Sequence, residues 1–196
     1  MYTATQILTF LEFSAKLKLQ LRSFKLSENR FESVADHSFQ LTLFVLLTHE
    51  ALEQPIDLLK CLKLSLFHDL VEADFGDTPY GLAENNYQIR VNKQKNEIAE
   101  IEKIKNNLGG SLGQEIYDLW HEYEAGQTTE AKYIKALNSL EANFQSVLFK
   151  IDYWDKAFYP IALTKADQFC QDEPILIELN RKIKEKMLEL FKKERY

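Results

Sequence analysis

The sequence predicts an all-α fold in a single domain. Its 196 residues hold only six glycines and four prolines, whereas an average protein has roughly 7% glycine and 5% proline. Few tight turns are therefore available, which disfavours a many-stranded β fold. Apolar residues recur at steps of three and four in several long segments, the spacing of one helix face. With 45% hydrophobic residues and no internal repeat or linker, residues 1–196 suit one globular domain.

The first predicted helix begins at Thr3 or Thr5, either of which can cap it, and it ends near Arg22. Its apolar stripe consists of Ile7, Phe10, Phe13, Leu17 and Leu21. Residues 23–36 lose this period, and a second helix is predicted to begin close to His37. The run LTLFVLLTH that follows is apolar on nearly every side, so we expect this second helix to be central and buried.

A third helix is predicted to begin at Pro55, since proline suits the first turn of a helix. It continues to about Ala73, where the segment FGDTPYG breaks the apolar pattern. Residues 84–107 are strongly polar with a thin stripe of isoleucines, which is typical of a helix on the surface. The pair Gly109 and Gly110 ends this fourth helix.

Three further helices complete the predicted fold. A short helix is expected around residues 114–123. The longest pattern begins at Thr128 or Thr129, and Pro160 stops it. Pro174 opens a last amphipathic helix, which runs into the basic tail KKERY.

Composition excludes several classes of function. The net charge of −6 disfavours binding to a nucleic-acid polymer or to an acidic membrane surface, because both need a concentrated positive face. The two cysteines, Cys61 and Cys170, form no CxxC motif, so no disulfide framework is expected. The most apolar stretch, residues 41–47, is far shorter than the roughly 20 residues of a membrane-spanning helix. We therefore expect a soluble, cytoplasmic protein.

Ionisable side chains cluster beside the apolar helices. The doublet His68-Asp69 ends the third helix, Glu72 and Asp77 follow it, and His37 lies in its own apolar context. An isolated His-Asp pair is more often a structural charge pair than a ligand set. Five such groups next to buried helices are costly unless they are paired. A divalent cation resolves this cost, because imidazole and carboxylate are the usual ligands of Zn, Mn, Fe or Co.

These residues lie in longer strings that resemble a known family. The strings are ESVADHS at 32–38, HDLVEADFGDTP at 68–79, LWHEYEAGQTTEAKYIK at 119–135 and LEANFQ at 140–145. In their order and spacing they resemble the HD-domain metal-dependent phosphohydrolases, and among these the 5'-deoxynucleotidases. With a motif core at about 22–145, the resemblance implies an HD-domain helical bundle.

The resemblance also implies one divalent cation, for which Mn, Co, Zn, Fe and Mg remain open. Its first three ligands would be His37, His68 and Asp69. The fourth ligand in relatives is an Asp, and this chain has Asn138 in its place. An Asn oxygen brings a dipole instead of a charge, so metal affinity should fall. Glu141, about 4.5 Å further along the helix axis, is an alternative partner for the ion.

Three more residues acquire roles from the resemblance. Glu72 would orient or deprotonate a water, and Asp77 would lie by the scissile phosphate and the sugar 3'-hydroxyl. Arg22 would bind the phosphate, for which its planar guanidinium is suited. A second arginine of the relatives is replaced by Ser27, and Arg30 is an alternative of surface character. Without the resemblance, Glu72 and Asp77 would be interpreted as solvent-exposed acids that follow a helix.

Two functions follow. The first is a metal-dependent phosphohydrolase, a homodimer like its relatives, that hydrolyses a nucleoside monophosphate or a similar small phosphomonoester. The second is a catalytically weakened protein that binds nucleotide or metal in a regulatory role. Three departures from the family pattern, Ser27, Asn138 and Ser139, motivate the second. The two functions differ in whether bound nucleotide is turned over or only stabilises the fold.

Overall fold

The computed structural model describes residues 2–78, 86–149 and 159–193, and helices dominate all three ranges. The helices are, in chain order, α1 (Ala4–Ala15), α2 (Val34–Thr48), α3 (Leu58–Phe67), α4 (Glu72–Phe75), α5 (Tyr87–Leu108), α6 (Gly110–Ala125), α7 (Thr129–Leu148), α8 (Tyr159–Thr164) and α9 (Pro174–Lys193). One antiparallel hairpin, β1 (Leu21–Ser27) and β2 (Arg30–Ser33), lies between α1 and α2. The all-α prediction is confirmed, with this hairpin as an addition.

The first helix is shorter than predicted. Thr3 caps α1 with a capping box, and the helix ends at Ala15, followed by one 3-10 turn. The prediction that it extends to Arg22 was wrong, because Arg22 lies on β1. Residues 23–36 lose the helical period because most of them form the hairpin, with Leu21 opposite Ser33 and Ser27 opposite Arg30.

The second helix begins at Val34, three residues before His37. Ser33 caps it: its hydroxyl accepts from the N–H of Asp36, whose carboxylate accepts from the N–H of Ser33. This capping box sets His37 in the first turns of α2. The interior side of α2 is fully buried, but Phe39 is 69% exposed and Leu47 is 73% exposed. The prediction of a helix buried on nearly every side was therefore wrong for one face.

The predicted third helix is divided in two. Asp57, and not Pro55, caps α3, and α3 ends at Phe67. A turn carries His68 to Val71 before the single turn of α4 begins at Glu72. Apolar residues continue through the turn and are buried there, so the hydrophobic pattern contained no sign of the break. The break turns the chain immediately after the His-Asp doublet.

The later helices begin at or within a few residues of their predicted starts. Helix α5 runs along the surface and ends at Gly109, whose φ of +64° suits glycine. Helix α6 begins at Gly110, earlier than expected, while α7 has the predicted cap at Thr128 and α9 begins at Pro174. Helix α7 ends at Leu148, where Phe149 adopts an extended conformation, so the prediction that one helix continues until Pro160 was wrong; residues 150–158 lie outside the described residues. In the described ranges, every helix is too short or too polar to span a lipid bilayer.

Two apolar clusters form the core. One joins α2, α3, α7 and α9 and includes Leu41 and Leu64, and the other joins α2, the α3–α4 turn, α5 and α6 and includes Val34 and Leu70. His37 lies on α2 between Val34 and Leu41, and the doublet at 68–69 lies between Leu64 and Leu70. The polar candidates are thus inserted where the two clusters meet.

Candidate metal centre

Three predicted ligands converge in the described structure. One ligand atom from each of His37, His68 and Asp69 lies within 4.8 Å of the other two. The Nε2 atoms of the two histidines are 3.3 Å apart. Asp69 Oδ2 is 3.1 Å from Nε2 of His68 and 3.7 Å from Nε2 of His37. Two ligands at ~2.1 Å from a tetrahedral cation are ~3.4 Å apart, so this triangle fits one ion.

Each histidine has a hydrogen-bond partner at Nδ1, the ring nitrogen that lies away from the shared ion position. Nδ1 of His37 contacts Glu141 Oε2 at 2.6 Å, and Nδ1 of His68 contacts the backbone oxygen of Ser65 at 3.0 Å. Because both partners are acceptors, each Nδ1 donates and each Nε2 carries the lone pair. The lone pairs point to the shared position, as in histidines that ligate a metal. The donor set of two imidazoles and a carboxylate suits a borderline dication.

Glu141 contacts the predicted ligand His37 on the side away from the ion position. Its carboxylate is buried on the Nδ1 side of His37 and accepts a second hydrogen bond from Gln145 Nε2 at 2.9 Å. Helical spacing correctly predicted that Glu141 lies near the centre. It did not predict on which side of the His37 imidazole Glu141 lies. Its role in this geometry is to orient His37 and to fix its tautomer.

Glu141→Gln is expected to weaken metal binding by about 10- to 100-fold. The amide would keep the volume of the side chain but would lose the charge that holds the Nδ1 proton of His37. Isothermal titration with Co²⁺ measures the effect, and Glu12→Gln, an exposed glutamate on α1, is the matched control. Equal Co²⁺ affinity in both variants would contradict the orienting role.

Asn138 lies one turn before Glu141 on α7, close to His68. Its Nδ2 donates to the hydroxyl of Tyr123 at 2.7 Å. The ring of Tyr123 packs edge-on against the His68 ring with centroids 5.1 Å apart, and burial raises the pKa of Tyr123 above its usual range. Asn138 is thus connected to the ligand set through one aromatic ring, and its service as fourth ligand stays a prediction.

Asp69 is kept ionised by its neighbours. Burial by itself would raise the pKa of its carboxyl, but that pKa is held below its usual range by the charge and hydrogen bond that His68 offers when it is protonated, by His37 in the same form, and by the charge of Arg22. A ligating carboxylate must be deprotonated. The surroundings of Asp69 therefore favour the form that binds a cation.

Glu72 is a buried acid beside this set. Its side chain is at the start of α4, and its Oε2 has no hydrogen-bond partner among the described residues. Burial, and then the negative charges of Asp69 and Asp77, raise the pKa of Glu72 to about 10. A carboxyl in such surroundings is protonated at neutral pH and is available for proton transfer when a cation offsets the nearby charges.

Asp77 follows α4 across a tight turn. Gly76 has a φ of +77°, which favours glycine, and a Cβ there would come within 3.0 Å of the Gln20 side chain. The same Gln20 donates to the backbone oxygen of Ala73 at 2.7 Å, so the hairpin start and the α4 turn are joined. Burial raises the pKa of Asp77 above its usual value, although the charge of Arg22 opposes the shift.

Arg22 comes to the centre from the hairpin. Its Nη1 lies 2.8 Å from Glu32 Oε2 and 3.6 Å from Glu141 Oε2, and all three side chains are largely buried. Burial would lower the pKa of Arg22, but Glu32 and Glu141 raise it. Arg30 instead pairs with Asp36 at the surface, so it does not replace the arginine missing at position 27.

Sequence reasoning missed three residues around the centre. Glu32 opens the motif ESVADHS, so the string itself contained a signal, and burial raises its pKa to about 7. Lys93 and Glu97 lie in the segment 84–107, whose polarity predicted a surface helix and gave no sign of a site. In the structure the charge of Lys93 acts on both Glu72 and Asp77.

Comparison with known proteins places this arrangement in a family. The model of the HD domain matches residues 14–176. This chain belongs to the HD-domain family. The match includes every candidate ligand and both candidate acids, and it confirms the resemblance seen in the sequence strings.

Curated relatives of this HD-domain protein are 5'-deoxynucleotidases. The HDDC2 protein of Xenopus laevis is 32% identical over 119 residues, which are 61% of this chain and 56% of that protein. HDDC2 of Dictyostelium discoideum is 37% identical over 123 residues (59% and 61%), and HDDC2 of Bos taurus is 30% identical over 145 residues (73% and 67%). The chain thus spans between a little over half and two thirds of the length of these relatives.

Solved structures share the fold. A protein described as a predicted metal-dependent phosphohydrolase, from Magnetospirillum magnetotacticum MS-1, aligns with a TM-score of 0.71 at 24% identity and covers 96% of this chain and 95% of its own. A conserved hypothetical protein from Pyrococcus furiosus aligns with a TM-score of 0.67 at 24% identity, covering 89% and 99%. These likenesses show the helical HD-domain architecture.

Proposed function

We propose that this protein is a metal-dependent phosphohydrolase that acts on a nucleoside monophosphate or a similar small phosphomonoester. The observation that carries the proposal is the triangle of His37, His68 and Asp69 with the buried Glu72 near it, whose Oε2 has no hydrogen-bond partner among the described residues. The names of the HDDC2 relatives support a nucleotide substrate. Mn, Co, Zn, Fe and Mg all remain candidates for the cation.

A bound dication supplies Lewis acidity at the phosphate and lowers the pKa of a water. The residues of the chain divide the remaining work. His37, His68 and Asp69 hold the ion position, with Asn138 as the fourth, uncharged contributor. Once a bound dication offsets the nearby negative charges, Glu72 would be ionised and would take up and return a proton at Oε2.

Arg22 and Asp77 act on the substrate in this proposal. The Arg22 guanidinium, which β1 supplies and Glu32 holds, binds charge on the phosphate. Asp77 accepts a hydrogen bond from the sugar 3'-hydroxyl, as the family resemblance implies, and its charge acts on Glu72. Support comes from the mutual electrostatic influence of Arg22, Asp77 and Asp69.

The proposal is tested by phosphate release from a panel of ribo- and deoxyribonucleoside 5'-monophosphates. The purified protein is assayed with Co²⁺, Mn²⁺, Mg²⁺, Zn²⁺ or Fe²⁺ added separately. We expect release with at least one metal and none with excess chelator. No release from any nucleotide with any of the five metals would contradict the proposal.

A second candidate function is a nucleotide- or metal-binding regulatory protein with weakened turnover. The observation that favours it is the amide at Asn138, which contributes no charge to the ion and whose nitrogen is engaged by Tyr123. In that case nucleotide and metal would raise the melting temperature without product formation.

Asn138→Asp separates the two functions. The added charge is expected to tighten Co²⁺ binding by about tenfold or more, while the Tyr123 hydroxyl can donate to the new carboxylate. Turnover should rise at limiting metal if the catalytic groups are intact. Asn92→Asp, an exposed position on α5, controls for the change in net charge. Unchanged Co²⁺ affinity in Asn138→Asp would contradict the placement of this residue at the ion.

Assembly and location complete the proposal. We propose a homodimer in the cytoplasm, as the family resemblance implies. The exposed apolar face of α2 supports the dimer, because Phe39, Leu43, Leu46 and Leu47 are each at least 39% exposed and lie on one side of the helix. Light scattering on a size-exclusion column is expected to give twice the mass of the chain.

A further inference from the structure

One side of α5 is turned toward the metal centre. In the exposed stretch 91–99, only Lys93 and Glu97 are partly buried. They stand at four-residue intervals before the buried core residues of the same helix, which are Ile101, Ile104 and Leu108. The stripe that packs against the α3–α4 turn thus continues toward the helix N-terminus as a charged pair.

Lys93 is electrostatically tied to the acids of the centre. Its ammonium lies 3.1 Å from Glu97 Oε1, and its charge acts on Glu72 and Asp77. Burial would lower the pKa of Lys93, but Glu97, Glu72 and Asp69 raise it above its usual value. The ammonium therefore stays charged at neutral pH.

The two cations near these acids, Arg22 and Lys93, differ in the number of their ion-pair partners and in the exposure of their side chains. Arg22 lies between two buried carboxylates, Glu32 and Glu141, and its side chain is 12% exposed. Lys93 has one ion-pair partner among the described residues, and its side chain is 33% exposed. An ammonium has three N–H donors, so Lys93 can keep its contact with Glu97 while it binds a further anion.

We infer that Lys93 is a second cationic contact for the phosphate of the substrate, supplied by α5 in addition to Arg22 and positioned by Glu97. The inference rests on the proposed function and names a substrate-binding residue for it. When a dication offsets the charge of Asp69, the attraction between the ammonium and this acid weakens, and an incoming phosphate dianion becomes the stronger partner of the ammonium.

The alternative role for Lys93 is structural, as a counter-ion that keeps the acid cluster folded. The two roles predict opposite effects on metal binding. Removing a structural counter-ion would damage the centre and weaken both metal and phosphate binding. Removing a phosphate contact leaves the centre more negative, so the metal would bind at least as tightly while the phosphate binds less tightly.

The experiment uses Lys93→Met, Lys93→Arg and the control Lys95→Met, an exposed lysine on the same helix. Three quantities are measured: KM and kcat for phosphate release, Co²⁺ affinity of the metal-stripped protein, and affinity of the Co²⁺-loaded protein for inorganic phosphate. For Lys93→Met we expect KM to rise and phosphate affinity to fall by about tenfold or more, as for a lost charged hydrogen bond. Co²⁺ affinity should be unchanged or tighter, and Lys93→Arg and Lys95→Met should resemble wild type.

Two results for Lys93→Met would overturn the inference: unchanged phosphate affinity, or parallel losses of Co²⁺ and phosphate affinity. A wild-type protein that hydrolyses no nucleotide contradicts the proposed function, but the phosphate-binding comparison still decides the role of Lys93. In that case weaker phosphate binding in Lys93→Met supports the inference, and a Co²⁺-loaded wild type that binds no phosphate overturns it.

Discussion

Replacing His68 by alanine is expected to lower Co²⁺ affinity by about 100-fold or more and phosphate release by about 1,000-fold or more. Nε2 of His68 lies close to both other ligand atoms of the triangle, at 3.3 Å from His37 Nε2 and 3.1 Å from Asp69 Oδ2. Its removal leaves one imidazole and one carboxylate for the ion. Co²⁺ titration and a nucleotide phosphate-release assay measure the two effects.

His49→Ala is the matched control for this change. His49 follows α2 and contacts the backbone oxygen of Leu46, away from the ligand triangle. It should retain wild-type Co²⁺ affinity and turnover. If His68→Ala folds normally by circular dichroism and still binds Co²⁺ like wild type, the ion position is not the one described.

Glu72→Gln is expected to reduce kcat by about 10²- to 10⁴-fold, the usual contribution of a group that transfers a proton. The carboxyl of Glu72, with a pKa raised to about 10, is neutral in the metal-free protein. Glutamine has nearly the same shape, so the fold and the metal site should persist. The measurement is kcat at saturating metal and substrate, with Co²⁺ affinity determined in parallel.

Asp74→Asn provides the comparison on the same short helix. Asp74 points outward and pairs with Lys16 and Lys103, so its loss should leave kcat within about threefold of wild type. A Glu72→Gln variant with wild-type kcat would show that Glu72 moves no proton in the reaction, whatever its burial.

Much of the fold follows from local signals in the sequence. Thr3, Thr128 and Pro174 mark helix starts because a capping hydroxyl or a proline in the first turn acts within a few residues. The hairpin escaped prediction because its two strands are short and pair across one turn. The break in the helix after Phe67 was not predicted because the apolar pattern continues through it, from one cluster of the core into the other.

The candidate site could be predicted in part. Family strings identified His37, His68 and Asp69, and the structure brings these three together. The contact of Glu141 with His37 spans 104 positions in the chain, and no local pattern specifies which imidazole nitrogen such a partner takes. Lys93 was not predicted for a related reason. Most of α5 is exposed, so its polar sequence pattern does not distinguish the turn that faces a charged centre.

We propose that one dication, held by His37, His68 and Asp69, enables the hydrolysis of a phosphomonoester. The most direct test is phosphate release from deoxyribonucleoside 5'-monophosphates while metal-stripped protein is titrated with Co²⁺. We predict that the rate rises from near zero and levels off at one Co²⁺ per chain. A rate that does not depend on Co²⁺, or bound Co²⁺ without any phosphate release, would contradict the claim.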